Sequence, residues 1–540
     1  MKLMMLTTCA AMMAAGPIGA QVAAPVLKWQ HGGCYASWCE TGWYSSPAVA
    51  DIDGDGAPEV IASAYSVVVL DGASGVLEWR VASGHDITEP GASNVGRTWP
   101  GIVVADVDGD GADEIVTVHS GGWVSVYDGN GFFEPGWPRQ PASNELRGLS
   151  VGDLDDDGTL EILVTAASYS NINAWVLEHD GTTRSGWPQL TGGGGYSYGV
   201  FNDTSAIADL DGDGSPDVLI PSDVHYICAY SADGEHLVAA PVFGGDNWGE
   251  VGVWESYATE LQGWGACNGI RAESYRTNFA NGPASVADMD GDGTLEVVAT
   301  GRTYDCTGGE TTKYNGVYVF EPDRGRFTGS GYDWTTVPID LGTPLSLDWN
   351  IIENAAPNPA LGDLDGDGEK EIVYADFSGR LHAFWLDGTE HGLWPLAIHT
   401  GGAYRFASEP AIVDLDNDGS AEVLVTTWVQ KGTGQTGELL IVSATGMVLQ
   451  RVDLPAPFGS PTWNGSMPCP TVADVDGDPD LEVVLQTAHS GVVVYDLPGS
   501  SGAEILWGTG RGSMLRNGTA PAGEAIFADG FESGSTGAWS

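Results

Sequence analysis

A nine-residue acidic motif recurs eight times and constrains the fold of this chain more than any other feature. Each copy has Asp at positions 1, 3 and 5, Asp or Glu at position 9, and a short apolar run directly behind position 9. The copies begin at residues 51, 106, 153, 209, 288, 363, 414 and 474, so that they lie 47 to 79 residues apart. Such spacing indicates one repeated supersecondary unit per copy.

The motif supplies the oxygen ligands that calcium prefers. Calcium takes six to eight oxygens from carboxylates and backbone carbonyls, and glycines between the acids permit the positive φ of a tight loop. We predict that the side chains at positions 1, 3, 5 and 9 and the residue at position 7 bind one ion per loop. The predicted ligands are Asp51, Asp53, Asp55, Ala57, Glu59; Asp106, Asp108, Asp110, Ala112, Glu114; Asp153, Asp155, Asp157, Thr159, Glu161; Asp209, Asp211, Asp213, Ser215, Asp217; Asp288, Asp290, Asp292, Thr294, Glu296; Asp363, Asp365, Asp367, Glu369, Glu371; Asp414, Asp416, Asp418, Ser420, Glu422; and Asp474, Asp476, Asp478, Asp480, Glu482.

The residues that follow the motif exclude an EF-hand. An EF-hand needs a bidentate Glu at position 12 and flanking helices, whereas position 12 is Ala62 in the first copy and Val164 in the third. Runs such as Glu114-Ile-Val-Thr-Val are short β-branched strands by composition. The loop is therefore predicted to join two strands.

Each unit reads as four short antiparallel strands. A third strand ends in an Asp-Gly turn, for example 67–72, and a fourth often carries Trp, as at Trp79 and Trp394. Four antiparallel strands repeated at this spacing are typical of a β-propeller, so we predict an all-β closed ring of about eight blades, with seven as the alternative. The recurring Trp residues are interpreted as packing between blades rather than as ligand-binding groups.

The acidic loops resemble those of the FG-GAP or VCBS repeat family, the calcium-loop propellers of integrin α chains and of many secreted bacterial proteins. The resemblance covers roughly residues 25 to 515 and implies calcium on the loop between the first two strands of each blade. Two loops depart from the pattern, with Asp217 at position 9 of the fourth and Pro479 at position 6 of the eighth. The segment 26–29 is predicted to be a strand that pairs with the last blade and closes the ring.

The charge balance limits the partners. The formal net charge is −54, and 20 Lys and Arg residues face 74 acids. Eight calcium ions would leave a net charge of roughly −38, and a surface of that sign repels nucleic acids and anionic membranes. Insertion into a membrane is not expected.

The N-terminus indicates export. Residues 1–20 have a basic start, an apolar stretch and small residues, which is the pattern of a secretory signal peptide, so we expect the mature protein outside the bacterial cell or at its surface. Six cysteines remain after residue 20. The predicted disulfides are Cys34 with Cys39, Cys267 with Cys306 and, by elimination, Cys228 with Cys469; buried thiols are the alternative. Residues 516–540 are interpreted as a linker and a short tail, either a sorting tag or a disordered remnant.

Catalytic motifs are not recognisable in the sequence, which favours a binding or adhesion module for a surface glycan or protein, with structural calcium. The alternative is a calcium-dependent polysaccharide lyase of the rhamnogalacturonan-lyase type, because those lyases also use propellers with similar loops. The long segment 241–281 contains Trp248, Trp254, Tyr275 and two Arg residues. It is predicted either to form the recognition surface or only to cover the edge of a blade.

Overall fold

The protein is built almost wholly from short β-strands. The computed structural model describes residues 22–35, 39–40, 42, 44–168, 172–189, 205–222, 225–263, 265–267, 270–271, 275–279, 282–304, 313–338, 342–346, 348, 351 and 358–519. Within these ranges there is one α-helix, α1 (Tyr257–Glu260), and 3₁₀ turns lie at Pro241–Phe243, Trp248–Glu250 and Gly329–Gly331.

The strands are three to nine residues long, apart from three of two residues, and are interrupted by the Gly-rich and Asp-rich turns that the sequence contains. In chain order they are β1 (Val26–His31), β2 (Ala48–Ala50), β3 (Glu59–Ser63), β4 (Val67–Asp71), β5 (Leu77–Val81), β6 (Val103–Ala105), β7 (Glu114–Val118), β8 (Val124–Tyr127), β9 (Leu146–Gly152), β10 (Glu161–Ala166), β11 (Ala174–Leu177), β12 (Ala206–Ala208), β13 (Asp217–Pro221), β14 (Ile227–Tyr230), β15 (Ala266–Cys267), β16 (Ile270–Arg271), β17 (Ala284–Ala287), β18 (Glu296–Tyr304), β19 (Lys313–Phe320), β20 (Ala360–Gly362), β21 (Glu371–Ala375), β22 (Arg380–Phe384), β23 (Leu396–Ala397), β24 (Arg405–Ala407), β25 (Ala411–Asp414), β26 (Glu422–Val429), β27 (Glu438–Val442), β28 (Val448–Asp453), β29 (Thr471–Ala473), β30 (Leu481–Thr487), β31 (Gly491–Leu497) and β32 (Glu504–Trp507).

Strands that follow each other in the chain pair antiparallel in separate sheets. These sheets contain β2 to β5, β6 to β8, β9 to β11, β12 to β14, β17 to β19, β20 to β23, β25 to β28 and β29 to β31, while β15 and β16 form a two-stranded hairpin. Every acidic loop joins the first and second strand of such a sheet, for example β2 to β3 and β20 to β21. The prediction that the loop connects two strands is confirmed.

The first strand of the chain belongs to the last sheet. β1 pairs antiparallel with β31, with Val26 opposite Asp496 and His31 opposite Val492. The predicted pairing of residues 26–29 with the last repeat is confirmed, although the two strands are separated by almost the whole chain.

The core lies between neighbouring sheets. Residues of both faces are buried in inner strands such as β3, β7 and β13, which is expected for sheets covered on both sides. One hydrophobic cluster joins the sheets that contain Val116 and Ile162. Another joins the first and the last sheet through Val60 and Val484.

Tryptophans in β1 and β5 and in the segments that follow β8, β11 and β22 connect one repeat to the next. Each indole N–H donates to a backbone carbonyl in a turn of the following repeat, at 2.7 to 3.0 Å. The donors Trp29, Trp79, Trp137, Trp187 and Trp394 bond to Gly72, Gly129, His179, Ala232 and Ala444, respectively. The interpretation of these residues as packing groups is therefore confirmed at these positions.

A C-terminal segment, residues 508–519, contacts the first strands of several sheets; we call it the C-terminal plug. The backbone N–H groups of Val151, Ile207, Val286 and Val472 donate to its carbonyls at 2.8 to 2.9 Å. Arg516 is fully buried and donates to the carbonyls of Ile102 and Pro47 at 2.8 Å. The plug thus satisfies backbone groups at sheet edges that would otherwise be buried without partners.

The structure corrects two expectations about individual residues. Cys469 is a buried thiol whose Sγ donates to the carbonyl of Pro410, so its predicted disulfide with Cys228 is wrong. Within the segment 241–281, Trp248 and Trp254 are buried, so these two side chains do not form an exposed recognition surface. Cys34 and Cys39 lie close together, with a Cα–Cα distance of 3.9 Å.

Buried ion pairs hold part of the segment 241–281 in place. Glu260 of α1 pairs with Arg324 and Arg326, and all three side chains are inaccessible to solvent. Arg326 also donates to the carbonyl of Trp254 at 2.7 Å. This network holds the segment against the sheet that contains β18 and β19.

Several predictions fall on residues outside the described ranges. These are the signal peptide (residues 1–20), the greater part of the tail (residues 516–540) and Cys306, the predicted partner of Cys267. Among the residues described above, no helix has the length and hydrophobicity needed to cross a membrane.

Candidate metal centres

The acidic loops share one backbone conformation. In the first loop, Gly54 and Gly56 at positions 4 and 6 have φ of 74° and 90°. A Cβ atom at either glycine would meet no neighbouring atom, so the requirement is conformational rather than spatial. Asp156 and Asn417 take position 4 in two other loops with φ of 56° and 54°, which agrees with the tolerance of Asp and Asn for the left-handed region.

Backbone N–H groups hold the carboxylates of positions 1 and 5 in place. In seven loops the glycine at position 6 donates to Oδ2 of position 1 at 2.8 to 3.1 Å. In all eight loops the residue at position 7 donates to Oδ1 of position 5 at 2.7 to 3.0 Å. The acids are thereby oriented before any ion binds.

The carboxylate at position 9 begins the second strand of each sheet and is buried in every loop. One of its oxygens accepts the N–H of position 2, at 2.6 to 3.1 Å, in all eight loops. This bond closes the loop and leaves the second carboxylate oxygen facing the other acids.

Burial makes the position 9 carboxylates hard to ionise without a cation. Burial, followed by the charges of the other loop acids, raises the pKa of Glu59, Glu114, Glu296 and Glu422 to about 8 and that of Glu371 to about 9. The pKa of Asp217 rises to about 7 and that of Glu161 also rises. In the eighth loop the pKa of Glu482 rises only to about 6, because burial is opposed by a hydrogen bond from Lys28.

The loop acids converge on common points. Carboxylate oxygens lie within 4.8 Å of one another in Asp51, Asp53 and Asp55 of the first loop, and in positions 1, 3 and 9 of the second to fifth loops. Five loops also contain a buried carboxylate oxygen without a hydrogen-bond partner: Asp106 Oδ1, Glu161 Oε1, Asp290 Oδ2, Glu371 Oε1 and Asp416 Oδ1. A buried, unpartnered carboxylate oxygen is strongly unfavourable, so a metal ion fits these loops.

Comparison with known proteins agrees with this geometry. The model of the FG-GAP-like repeat matches residues 106–164, 153–220 and 363–425. The chain contains FG-GAP-like repeats. The matched residues include the second, third, fourth, sixth and seventh acidic loops. No curated protein matches this sequence.

Several solved structures match this chain at low sequence identity. Sqt1 of Saccharomyces cerevisiae is 9% identical and has a TM-score of 0.51, over 89% of this chain and 100% of Sqt1. The exotype rhamnogalacturonan lyase YesX is 16% identical with a TM-score of 0.47, over 88% of this chain and 75% of the lyase. The V. cholerae biofilm matrix protein Bap1 is 14% identical with a TM-score of 0.40, over 92% of this chain and 96% of Bap1. The similarity to Sqt1 concerns the fold alone, because the sequence identity is low. The TM-scores of the other two structures are below 0.5, and nothing is inferred from them.

Consecutive FG-GAP-like loops are joined by hydrogen bonds that the sequence does not reveal. The N–H at position 8 donates to the carbonyl at position 2 of the preceding loop, at 2.9 Å, for Leu160 with Val107 and for Ala421 with Leu364. One backbone hydrogen bond thus links each of these loops to the loop before it.

Two basic side chains also face the loops and were missed in the sequence. Lys28 Nζ contacts Asp476 and lies 2.8 Å from Glu482 Oε1 in the eighth loop. Arg184 Nη1 lies 3.0 Å from Asp155 Oδ2 in the third loop. Both residues come from strands or turns distant in sequence from the acids, and no local motif marks them.

The predicted ligands are thus placed as follows. Positions 1, 3 and 9 come together in the second to fifth loops, and positions 1, 3 and 5 come together in the first. A ligand role stays a prediction for all of these residues, those at positions 5 and 7 included.

Proposed function

We propose that the protein is an extracellular, calcium-stabilised β-propeller that acts as a binding module for a surface glycan. The observation that carries the calcium part is the set of buried carboxylate oxygens without hydrogen-bond partners in five acidic loops. These oxygens belong to carboxylates that other bonds already fix in place, so a cation can bind with little further ordering.

The chemistry of the loops favours calcium among the divalent cations. All the proposed ligands are carboxylate or carbonyl oxygens, which suit hard cations. Magnesium requires a near-ideal octahedron at about 2.0–2.1 Å and dehydrates reluctantly, whereas a loop with four carboxylates and a backbone carbonyl suits the larger and less regular shell of calcium. Residues at positions 1, 3, 5, 7 and 9 would hold the ion.

The role of the ion is structural in this proposal. Positions 1 and 3 follow the first strand of a sheet and position 9 begins the second, so one ion links two strands. The bonds between neighbouring loops, such as Lys370 N–H to the Met289 carbonyl at 2.9 Å, extend this support from sheet to sheet. Extracellular calcium sites often have dissociation constants of roughly 10⁻⁴ to 10⁻³ M, so each site would add about 0.4–1.4 kcal/mol at calcium concentrations one to ten times that value.

We infer that the sheets form a closed ring of eight blades. Consecutive sheets share hydrophobic clusters, and the first and last sheets share one through Val49 and Val494. The pairing of β1 with β31 joins the two ends of the chain. The C-terminal plug contacts first strands from many of these sheets, as expected if those strands surround an axis that the plug occupies.

The ligand is proposed to bind on the face opposite the acidic loops. Because each loop follows a first strand, residues that precede first strands or follow second strands lie at the other face. Tyr44, Arg97, Tyr404, Arg405 and Phe458 lie there, and each is at least partly exposed. Aromatic rings beside guanidinium groups suit a glycan, with apolar sugar faces on the rings and hydroxyl or acidic groups on the cations.

The calcium proposal is tested by equilibrium dialysis and by melting in excess chelator. We expect several tightly held ions per molecule and a large drop in melting temperature when they are removed. Binding of no ions, or a melting curve that chelator leaves unchanged, would contradict the proposal.

The ligand proposal is tested on a glycan array with and without calcium. We expect binding that Phe458→Ala weakens and that Leu393→Ala leaves unchanged, since Leu393 is an even more exposed apolar side chain, in the turn before β23. Binding of proteins but not of glycans would favour a protein partner. Release of unsaturated sugar products would favour the lyase alternative.

A further inference from the structure

The eighth acidic loop differs from the other seven in its hydrogen bonds. Pro479 occupies position 6 and has no N–H, so the bond from position 6 to Oδ2 of position 1 that holds the other seven loops cannot form. Asp474 Oδ1 still accepts the N–H groups of Gly477 at 2.7 Å and of Asp476 at 3.0 Å, as position 1 does in several other loops. The loop remains closed by the bond from Val475 N–H to Glu482 Oε2 at 2.9 Å.

A lysine ammonium occupies the centre of this loop. Lys28 Nζ contacts Asp476 Oδ2 at position 3 and lies 2.8 Å from Glu482 Oε1 at position 9. In the third and sixth loops the corresponding oxygens, Glu161 Oε1 and Glu371 Oε1, are buried without a partner. The ammonium therefore sits where the other loops leave room for a metal ion.

An irregularity in the pairing of β1 with β31 places Lys28 at the eighth loop. Leu27 pairs with Tyr495 and Trp29 pairs with Val494, so that Lys28 is an extra residue between two consecutive pairs. Bulges of this type change the direction of a side chain. The next residue, Trp29, anchors the strand to the first repeat through its bond to the Gly72 carbonyl at 2.7 Å.

Arg184 lies beside the third loop but contacts only part of its acidic cluster. Its Nη1 lies 3.0 Å from Asp155 Oδ2 but 3.9 Å from Glu161 Oε2, and Glu161 Oε1 keeps no hydrogen-bond partner. The guanidinium also pairs with Glu178 outside the loop at 3.4 Å. It thus borders the third site without filling it.

We propose that the Lys28 ammonium replaces calcium in the eighth loop, so that this loop binds no metal and the N-terminal strand closes the ring without calcium. The inference rests on the proposed function, because it presupposes calcium in the remaining loops. An ammonium carries one positive charge and three donors, which suffice for the two carboxylates that it contacts. The pairing of β1 with β31 would then remain stable at calcium concentrations at which the other loops lose their ions.

The test compares matched substitutions at position 5, which Lys28 does not contact. Asp367→Ala in the sixth loop and Asp478→Ala in the eighth each remove the carboxylate that accepts the N–H of position 7, so both loops lose the same bond. Equilibrium dialysis of the full chain should show one bound ion fewer for Asp367→Ala and no loss for Asp478→Ala. Loss of one ion from Asp478→Ala would overturn the inference and leave the proposed function intact, whereas no loss from either variant would overturn the proposed function.

A second experiment removes the ammonium itself. In excess chelator, Lys28→Met should melt at a lower temperature than wild type, while Lys431→Met, a control far from any acidic loop, should melt as wild type does. Lys28→Arg, which retains the charge, should restore part of the loss. Equal melting of Lys28→Met and Lys431→Met in chelator would contradict the inference, and the dialysis comparison decides the matter if Lys28→Met does not fold.

Discussion

Replacing Glu371 by Gln should stabilise the protein more in chelator than in saturating calcium, because only the wild-type loop gains stability from the ion. Glu371 lies at position 9 of the sixth loop and is 1% exposed. One of its oxygens accepts the N–H of Leu364 at 2.6 Å, and the other is buried without a hydrogen-bond partner. Glutamine has the same shape and keeps an acceptor for Leu364, but it has no charge for a metal ion.

The magnitude without calcium follows from the pKa of the buried carboxyl. Burial and the neighbouring acids raise the pKa of Glu371 from 4.5 to about 9, so at pH 7 this group is protonated in the folded chain and ionised in the unfolded chain. Taking up that proton costs about 3 kcal/mol, since one pH unit corresponds to about 1.4 kcal/mol. Glu371→Gln removes this cost and should stabilise the chelated protein by an amount of that order.

Calcium should reduce this difference between the variant and wild type. The carboxylate is then a ligand in the wild-type protein, and Glu371→Gln weakens or abolishes that site. At a calcium concentration about tenfold above the dissociation constant, one site contributes about 1.4 kcal/mol to the wild type, so the advantage of the variant should shrink from about 3 to about 1.6 kcal/mol. Chemical unfolding followed by Trp fluorescence at pH 7, in excess calcium and in excess chelator, measures both differences.

Glu482→Gln in the eighth loop is the matched control. Its carboxylate pairs with Lys28 in either condition, so we expect a loss of stability that calcium does not change. A stability difference between Glu371→Gln and wild type that is equal in calcium and in chelator would refute the reasoning that this carboxylate serves a metal ion.

Three further predictions follow from the structure. In chelator, the melting temperature should fall as the pH rises from about 5 to about 8, because carboxyl groups with raised pKa values bind more protons in the folded state than in the unfolded state. The stabilising effect of these protons is complete below the unfolded pKa near 4.5 and is lost as the pH passes the folded pKa values. Saturating calcium should abolish the fall. Trp394→Phe removes the indole bond to the Ala444 carbonyl and should lower the free energy of unfolding by about 1–3 kcal/mol in chemical denaturation, because a buried acceptor loses its donor; an unchanged value would contradict the packing role. Arg516→Met removes buried bonds to the carbonyls of Ile102 and Pro47 and should destabilise the protein by about 3 kcal/mol or more in the same assay, whereas a small effect would mean that the C-terminal plug contributes little to stability.

The acidic loops could be predicted from sequence because they are local. The donors and acceptors that shape each loop lie within nine residues, such as Ile52 and Glu59 or Gly56 and Asp51. The following strand is marked by its β-branched residues, and its pairing with the preceding strand is set by the loop itself. Short-range information therefore suffices for this part of the fold.

Contacts between distant parts of the chain could not be predicted in the same way. Lys28 and Glu482 are 454 residues apart, and Arg516 and Pro47 are 469 residues apart. The sequence did indicate that residues 26–29 join the last repeat, but not that an irregular pairing would turn Lys28 into the eighth loop. For the segment 241–281 the sequence left two alternatives, a recognition surface or a cover for the edge of a blade, and the structure buries Trp254, whose carbonyl accepts a bond from Arg326 of the pair with Glu260.

The placement of basic residues explains why solvent cations matter to this chain. Only 20 Lys and Arg residues accompany 74 acids, and several of them are buried inside the fold: Arg324, Arg326, Arg511 and Arg516 are each no more than 2% exposed. These guanidinium groups satisfy buried carbonyls and carboxylates, so they contribute little to the acidic loops at the surface. Except where Lys28 or Arg184 contacts them, the loop acids among the described residues therefore depend on cations from solution for neutralisation. This is the physical reason to expect that stability rises with the calcium concentration.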